Sequence, residues 1–180
     1  MDRDQDYDVT NTKPNGQPKL FPAEQYSSCP VPLMGLTYDW TALNSKVDSM
    51  VANGNTNQAI GLAWAWQSLT EEPFTIPTKE ANYQYSEVII LMSDGLNTEN
   101  RWTTSQSAID TRQATMCANV KAAGITLYTI HVNTDGDPTS TVLQNCASGT
   151  DKFFTVTSSG QINTVFSQIG TNLSKLRIAK

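Results

Sequence analysis

The feature that most constrains the fold is an unbroken apolar run at residues 88–92, followed directly by Ser93, Asp94 and Gly95. Such a run, without alternating polar residues, is typical of a strand buried on both faces, as in a parallel sheet. Open α/β sheets bind their ligands beyond the carboxyl ends of the strands, and Asp94 follows this strand directly. The run therefore predicts both a parallel sheet and a functional edge at Asp94.

The rest of the chain alternates between apolar strands and amphipathic helices. Strands are predicted at residues 125–132 and 152–157, and helices at about 40–53, 56–69, 105–123, 138–147 and 159–176. This alternation favours one α/β domain with a mainly parallel sheet and helices on both faces. Residues 1–36 contain five prolines and are predicted to form an irregular arm with possible edge strands, so the domain spans residues 37–180.

Three tryptophans fall at helical positions in these segments. Trp40, Trp64 and Trp66 are predicted to pack in the core and between helices, because large aromatic side chains are mostly buried. Trp102 lies in a polar segment beside the predicted functional edge and is instead a candidate partner contact.

Charge and hydropathy exclude several classes of partner. The formal net charge is -5, which leaves no basic footprint for nucleic acid and disfavours an anionic membrane surface. No stretch approaches the roughly 20 apolar residues of a membrane span. Met1 is followed at once by Asp2 and Arg3, unlike a secretion signal. Two interpretations are consistent with these features: a cytosolic protein, or a piece of a longer exported chain.

The cysteines argue against a zinc site. The chain contains Cys29, Cys117 and Cys146, and none of them forms the C-x-x-C spacing of a structural zinc centre. The odd number suggests one disulfide pair and one remaining thiol.

Several segments together resemble a von Willebrand factor A domain. They are Gly54-Asn55-Thr56 before an apolar helix, Asp94 with Gly95 after the buried strand, and the next strand at 125–130. That family has a doubly wound sheet and binds a divalent ion at its carboxyl edge. The resemblance implies that Thr56 and Asp94 are metal ligands, with Mg or another divalent cation in the full-length protein. Asn97 and Thr98, in the loop after Asp94, are candidates to position waters or contact a partner.

One element of the family pattern is missing. The chain has no Asp-x-Ser-x-Ser segment, and the nearest trio, Asp48-Ser49-Met50, falls in a predicted helix. The chain is therefore interpreted as a fragment, or as a reading frame begun at an internal methionine, without the family's first strand and first helix. The family's metal site uses three ligand loops, and two of them are too few for tight binding, so this chain is expected to hold no tightly bound divalent ion by itself. Without a bound ion, Thr56 is expected to cap the helix that follows it, and Asp94 is expected to stabilise its own loop.

A narrower likeness is to the TadG-like proteins of bacterial Tad/Flp pilus assembly. It rests on GLAWAW at residues 61–66, ILMSDGLNT at 90–98 and CANVKAAGI at 117–125. It implies a non-enzymatic, extracytoplasmic module for adhesion or protein interaction, a pilus or adhesion component as partner, and a Cys117–Cys146 disulfide. The alternatives are a structural module whose metal site is unused, and a hydrolase. The hydrolase is disfavoured because His131 is the only histidine and no nucleophile elbow is present.

Overall fold

The computed structural model describes residues 30–69, 74, 76, 78–100 and 103–175. Five α-helices and three strands lie in these residues, and each element predicted after residue 37 is present with the predicted type. In chain order they are α1 Trp40–Asp48, α2 Gln58–Gln67, β1 Val88–Ser93, α3 Gln106–Ala122, β2 Thr126–Val132, α4 Thr141–Cys146, a 3-10 turn Thr150–Lys152, β3 Phe153–Val156 and α5 Ser159–Lys175.

The strands form one parallel sheet in the order β1-β2-β3. Ile89 is opposite Leu127 between β1 and β2, and Thr129 is opposite Phe153 between β2 and β3. α3 connects β1 to β2, and α4 connects β2 to β3, as parallel pairing requires. The carboxyl ends of all three strands therefore meet at one edge of the sheet, which we call the carboxyl edge. Among the described residues, β1 is paired only with β2.

Helices cover both faces of the sheet, which confirms the predicted fold class. On one face α2, α3 and α4 enclose a core with residues of β1 and β2; its members are Leu62, Trp66, Ile89, Leu91, Met116, Cys117, Val120, Ile125, Leu127, Val142, Leu143 and Cys146. On the other face α5 packs against β2 and β3 through Tyr128, Ile130, Val156, Val165 and Ile169. Alternate residues of each strand thus face opposite cores, as the pleat requires.

A disulfide joins two helices of the first face. Cys117 of α3 and Cys146 of α4 are bonded, with their Cα atoms 5.1 Å apart, inside the range that disulfide geometry allows. The pairing implied by the family resemblance is confirmed. Cys29 lies outside the described residues.

Helix α1 differs from the sequence prediction in length and burial. Asp39 caps this helix, because its carboxylate accepts a hydrogen bond of 2.9 Å from the Ala42 backbone N–H. The helix ends at Asp48, however, rather than near residue 53. Its Trp40 side chain is 70% exposed, so the prediction that Trp40 packs in the core is wrong. No residue of α1 is fully buried, since neither sheet core includes this helix.

The two tryptophans of α2 follow the prediction more closely. Trp66 is 5% exposed and belongs to the core on the α2 side. Trp64 is half-buried and meets Phe74 edge to face, with ring centroids 6.4 Å apart. Helical spacing thus predicts burial only where a sheet lies beneath the helix.

The beginning of the described chain is irregular. Residues 30–37 form neither helix nor strand, and the rest of the predicted arm lies outside the described residues. In the part of the chain that the structure describes, no helix combines the length and apolarity needed to traverse a bilayer.

Candidate functional site

The carboxyl end of β1 presents Asp94 to solvent. Ser93 closes a tight local turn: its hydroxyl accepts a hydrogen bond from the Gly95 N–H at 3.2 Å. The same hydroxyl lies 3.3 Å from Oδ1 of Asp94, to which it donates. The Asp94 carboxylate therefore sits at the surface on a turn held by its own neighbours, as Asp and Ser commonly arrange after a strand.

A buried histidine of β2 supports this turn from below. Ser140 donates its backbone N–H to Nδ1 of His131 at 3.5 Å, so Nε2 carries the proton and donates to the Asp94 carbonyl oxygen at 3.0 Å. Gly95 passes so close to the ring that an added Cβ would lie 2.5 Å from Nε2. Its φ of 111° also lies in a region that side-chain-bearing residues rarely adopt. The histidine thus fixes the backbone that carries Asp94.

The loop before α2 is bonded directly to the loop after β1. The Thr56 N–H donates to Oγ1 of Thr98 at 2.7 Å, and the Thr98 N–H donates to the Thr56 carbonyl at 2.9 Å. Next to this pair, the Asn55 side-chain amide donates to the Glu99 carboxylate. The structure therefore brings together two segments that are about 40 residues apart in sequence, at the carboxyl edge.

Asn97 joins the same two segments from the inside. Its side chain is only 2% exposed. Its carbonyl accepts from the Gln58 N–H at 2.9 Å, and its amide donates to Oδ1 of Asp110 at 2.7 Å and to Oε1 of Gln113 at 2.6 Å. The Gln113 amide in turn donates to Oε1 of Gln58 at 2.9 Å. We call Gln58, Asn97 and Gln113 the amide cycle.

The predicted site residues fall into three groups. Asp94 and Thr98 are exposed at the carboxyl edge, and Thr56 is half-buried beside Thr98. Asn97 is buried beneath them. Trp102 lies outside the described residues.

Several residues at this edge were not predicted. Glu99 contributes a second exposed carboxylate beside Thr56, and a single acidic residue in a polar loop gives no sequence signal. Gln113 did leave a signal, because it falls on the inward stripe of α3 between Ile109 and Met116. A polar residue in such a stripe must find a buried partner, and Asn97 is that partner.

The donor set fits a divalent cation only in part. Hydroxyl and carboxylate oxygens such as those of Thr56 and Asp94 are the hard ligands that Mg²⁺ and Ca²⁺ prefer. Mg²⁺ requires about six oxygens, however. In the described residues, no three side chains from among His, Cys, Asp and Glu converge to hold a metal ion. The chemistry is of the right kind, but the number of charged ligands is too small for a complete site.

The chain was compared with curated proteins, and none of them matches it. Among solved structures, proximal thread matrix protein 1 from the mussel byssus is similar, with 20% sequence identity and a TM-score of 0.47. That match covers 72% of this chain but only 28% of the mussel protein.

The decisive match is to a family. The sequence model of the von Willebrand factor type A domain matches residues 22–168, which is most of the chain. Domains of this family typically mediate protein interactions and often bind a divalent metal. The parallel sheet, with helices on both faces and polar loops at its carboxyl edge, has the architecture that such a match requires. The chain belongs to the von Willebrand factor type A domain family.

Proposed function

We propose that the chain is a non-enzymatic protein-recognition module of a Tad/Flp-type pilus assembly protein, and that it works outside the cytoplasm. Its recognition surface is the carboxyl edge around Asp94, Thr98 and Thr56. The observation that carries the proposal is the pair of hydrogen bonds between Thr56 and Thr98, which joins two separate loops into one surface.

Two further observations support a protein partner and this location. Leu96 is 48% exposed beside Asp94, and an apolar side chain next to a carboxylate suits the mixed chemistry of a protein interface. The buried Cys117–Cys146 disulfide is typical of proteins from oxidising compartments. The pilus assignment itself rests on the likeness of residues 61–66, 90–98 and 117–125 to TadG-like proteins.

We assign Thr56 and Asp94 to a partial metal-ion-dependent adhesion site. A divalent ion held there would offer a coordination position to an acidic side chain of the partner. This chain's own residues supply one hydroxyl, one carboxylate and the backbone that orients them. A structural module whose metal site is unused is the second candidate, favoured by the absence of three converging charged ligands in the described residues.

The partner assignment is tested by titrating a purified Flp-type pilin into the 180-residue chain with Mg²⁺ present. We expect binding by the wild type and its loss in Asp94→Asn, which removes one charge from the carboxyl edge. Asp48→Asn is the matched control, because it removes the same charge from the exposed end of α1. No binding by the wild type, or equal binding by both variants, would refute the proposal.

The metal assignment is tested separately by titrating Mn²⁺ into the ¹⁵N-labelled chain. We expect paramagnetic broadening at the amides of Thr56 and Gly95, with no better than submillimolar affinity because few charged ligands converge there. The broadening should disappear in Asp94→Asn and persist in Asp48→Asn. Micromolar binding would contradict the expectation of weak affinity, and broadening elsewhere on the chain would contradict the site itself.

A further inference from the structure

The buried side chain of Asn97 caps a helix from a distant part of the chain. The first N–H groups of any helix have no partner within the helix and are usually satisfied by a residue just before it. Asn57 occupies that place in α2 but makes no side-chain capping bond. The side-chain oxygen of Asn97, 39 residues after Gln58, accepts the Gln58 N–H instead. The beginning of α2 is thus held by the loop that carries Asp94.

The amide nitrogen of Asn97 is also fully hydrogen-bonded. Both amide hydrogens are used, one by Asp110 and one by Gln113, and Gln113 returns to the Gln58 side chain. The bonds form a closed path from Gln58 through Asn97 and Gln113 back to Gln58. This path joins α2, the loop after β1 and α3.

Because these hydrogen bonds are buried, breaking any of them is costly. Gln58, Asn97 and Gln113 are 6%, 2% and 0% exposed. An amide that loses its partner in such a place keeps the full cost of being removed from water, so the network favours one arrangement of the three elements. The hydrogen bond from Thr56 to Thr98 is exposed, where water competes for both groups.

We propose that Asn97 is a positioning residue, and that the amide cycle sets the spacing between Thr56 and Asp94. Thr56 lies two residues before Gln58, and Asp94 lies three residues before Asn97. Fixing the position of Gln58 relative to Asn97 therefore also fixes Thr56 relative to Asp94. The inference deepens the proposed function and rests on it in one respect only, that the carboxyl edge binds a partner. The positioning itself is a property of the free chain.

The first test is Asn97→Asp, which preserves shape but replaces the amide NH₂ group, a donor of two hydrogen bonds, with an oxygen that only accepts. That oxygen would face the Asp110 carboxylate, so a hydrogen bond is replaced by repulsion between two buried acceptors, and it would face Oε1 of Gln113 until that amide reverses. Amide hydrogen exchange is measured by NMR on the free 180-residue chain. We expect exchange about tenfold faster at Gln58 and Thr98, the change for the loss of roughly 1.4 kcal/mol. Ile130, in the centre of β2, should not change.

The second test is rescue by the double variant Asn97→Asp/Asp110→Asn, which exchanges the carboxylate and the amide. The new amide at position 110 then donates to the new carboxylate at position 97. Gln113 and Gln58 both reverse their side-chain amides, so that Nε2 of Gln113 donates to position 97 and its Oε1 accepts from Nε2 of Gln58. That nitrogen has no hydrogen-bond partner among the described residues of the wild type. We expect exchange at Gln58 and Thr98 to return toward wild-type rates.

Three results would overturn the inference. They are unchanged exchange in Asn97→Asp, an equal increase at Ile130, which would indicate only general destabilisation, and failure of the double variant to restore protection. The proposed function fails by a different result, the absence of pilin binding by the wild type. Exchange in the free chain involves no partner or metal, so either claim can fail while the other stands.

Discussion

At the scale of single residues, the carboxyl edge depends on Gly95, where no side chain can be added without strain. A Cβ there would lie 2.5 Å from Nε2 of His131 and 3.3 Å from Cβ of Ser140. The backbone φ of 111° adds a conformational cost for any residue with a side chain. His131 cannot move aside easily, because both of its ring nitrogens are hydrogen-bonded.

We therefore expect Gly95→Ala to lower the free energy of unfolding by about 2–3 kcal/mol, measured by urea denaturation. Gly61→Ala is the matched control, since Gly61 lies inside α2 and an added Cβ would meet no atom within 4 Å. That variant should be more stable than the wild type by about 0.5–1 kcal/mol, because alanine favours helix. Equal stability of the two variants would show that Gly95 is not constrained.

At the scale of secondary-structure elements, α4 is short and depends on its neighbours. It has six residues, too few to be stable alone. Thr129 of β2 donates its hydroxyl to the Leu143 carbonyl at 2.8 Å, and Lys121 of α3 donates to the Asn145 carbonyl at 2.8 Å. The disulfide adds a covalent bond from Cys117 to Cys146.

Removing this disulfide should therefore destabilise the whole domain. The closed loop spans about 30 residues, so the double variant Cys117→Ala/Cys146→Ala should lose roughly 3–4 kcal/mol in the chain-entropy model. Urea denaturation measures the loss, and Cys29→Ala is the control that leaves the Cys117–Cys146 bond intact. An unchanged denaturation midpoint in the double variant would show that packing alone holds α4.

At the scale of the whole molecule, the sheet is covered unevenly. β2 lies between two strands and two layers of helices, whereas β1 has one strand partner among the described residues. On the α5 side of β1, Ile90 is half-buried and Met92 is 47% exposed. An apolar strand with a free edge tends to pair with other chains.

We therefore predict that the 180-residue chain self-associates as its concentration rises, through the β1 edge. Met92→Lys should reduce association, because a lysine on an edge strand opposes pairing between copies. Sedimentation velocity measures the change. Ile60→Lys is the control, since Ile60 is 55% exposed on α2, which covers the face of the sheet opposite to Met92. A wild type that stays monomeric at all concentrations, or equal effects of the two lysines, would contradict the prediction.

Much of the fold could be predicted from the sequence, because its signals are local. The apolar run at 88–92 indicated β1, and α3 ends at Ala122, close to the predicted end at 123 and just before Gly124, whose φ is 84°. The family resemblance, confirmed over residues 22–168, added the disulfide, which residue spacing alone did not decide.

The tertiary structure alone decided the properties that depend on distant segments. Trp40 and Trp66 lie at equally plausible helical positions, yet only Trp66 has a sheet beneath it. Asn97 looked like a surface residue in a polar loop, but α2 and α3 close over it. Periodicity determines which face of a segment is apolar, whereas burial and hydrogen bonding depend on which other segments pack there, and no local pattern records that.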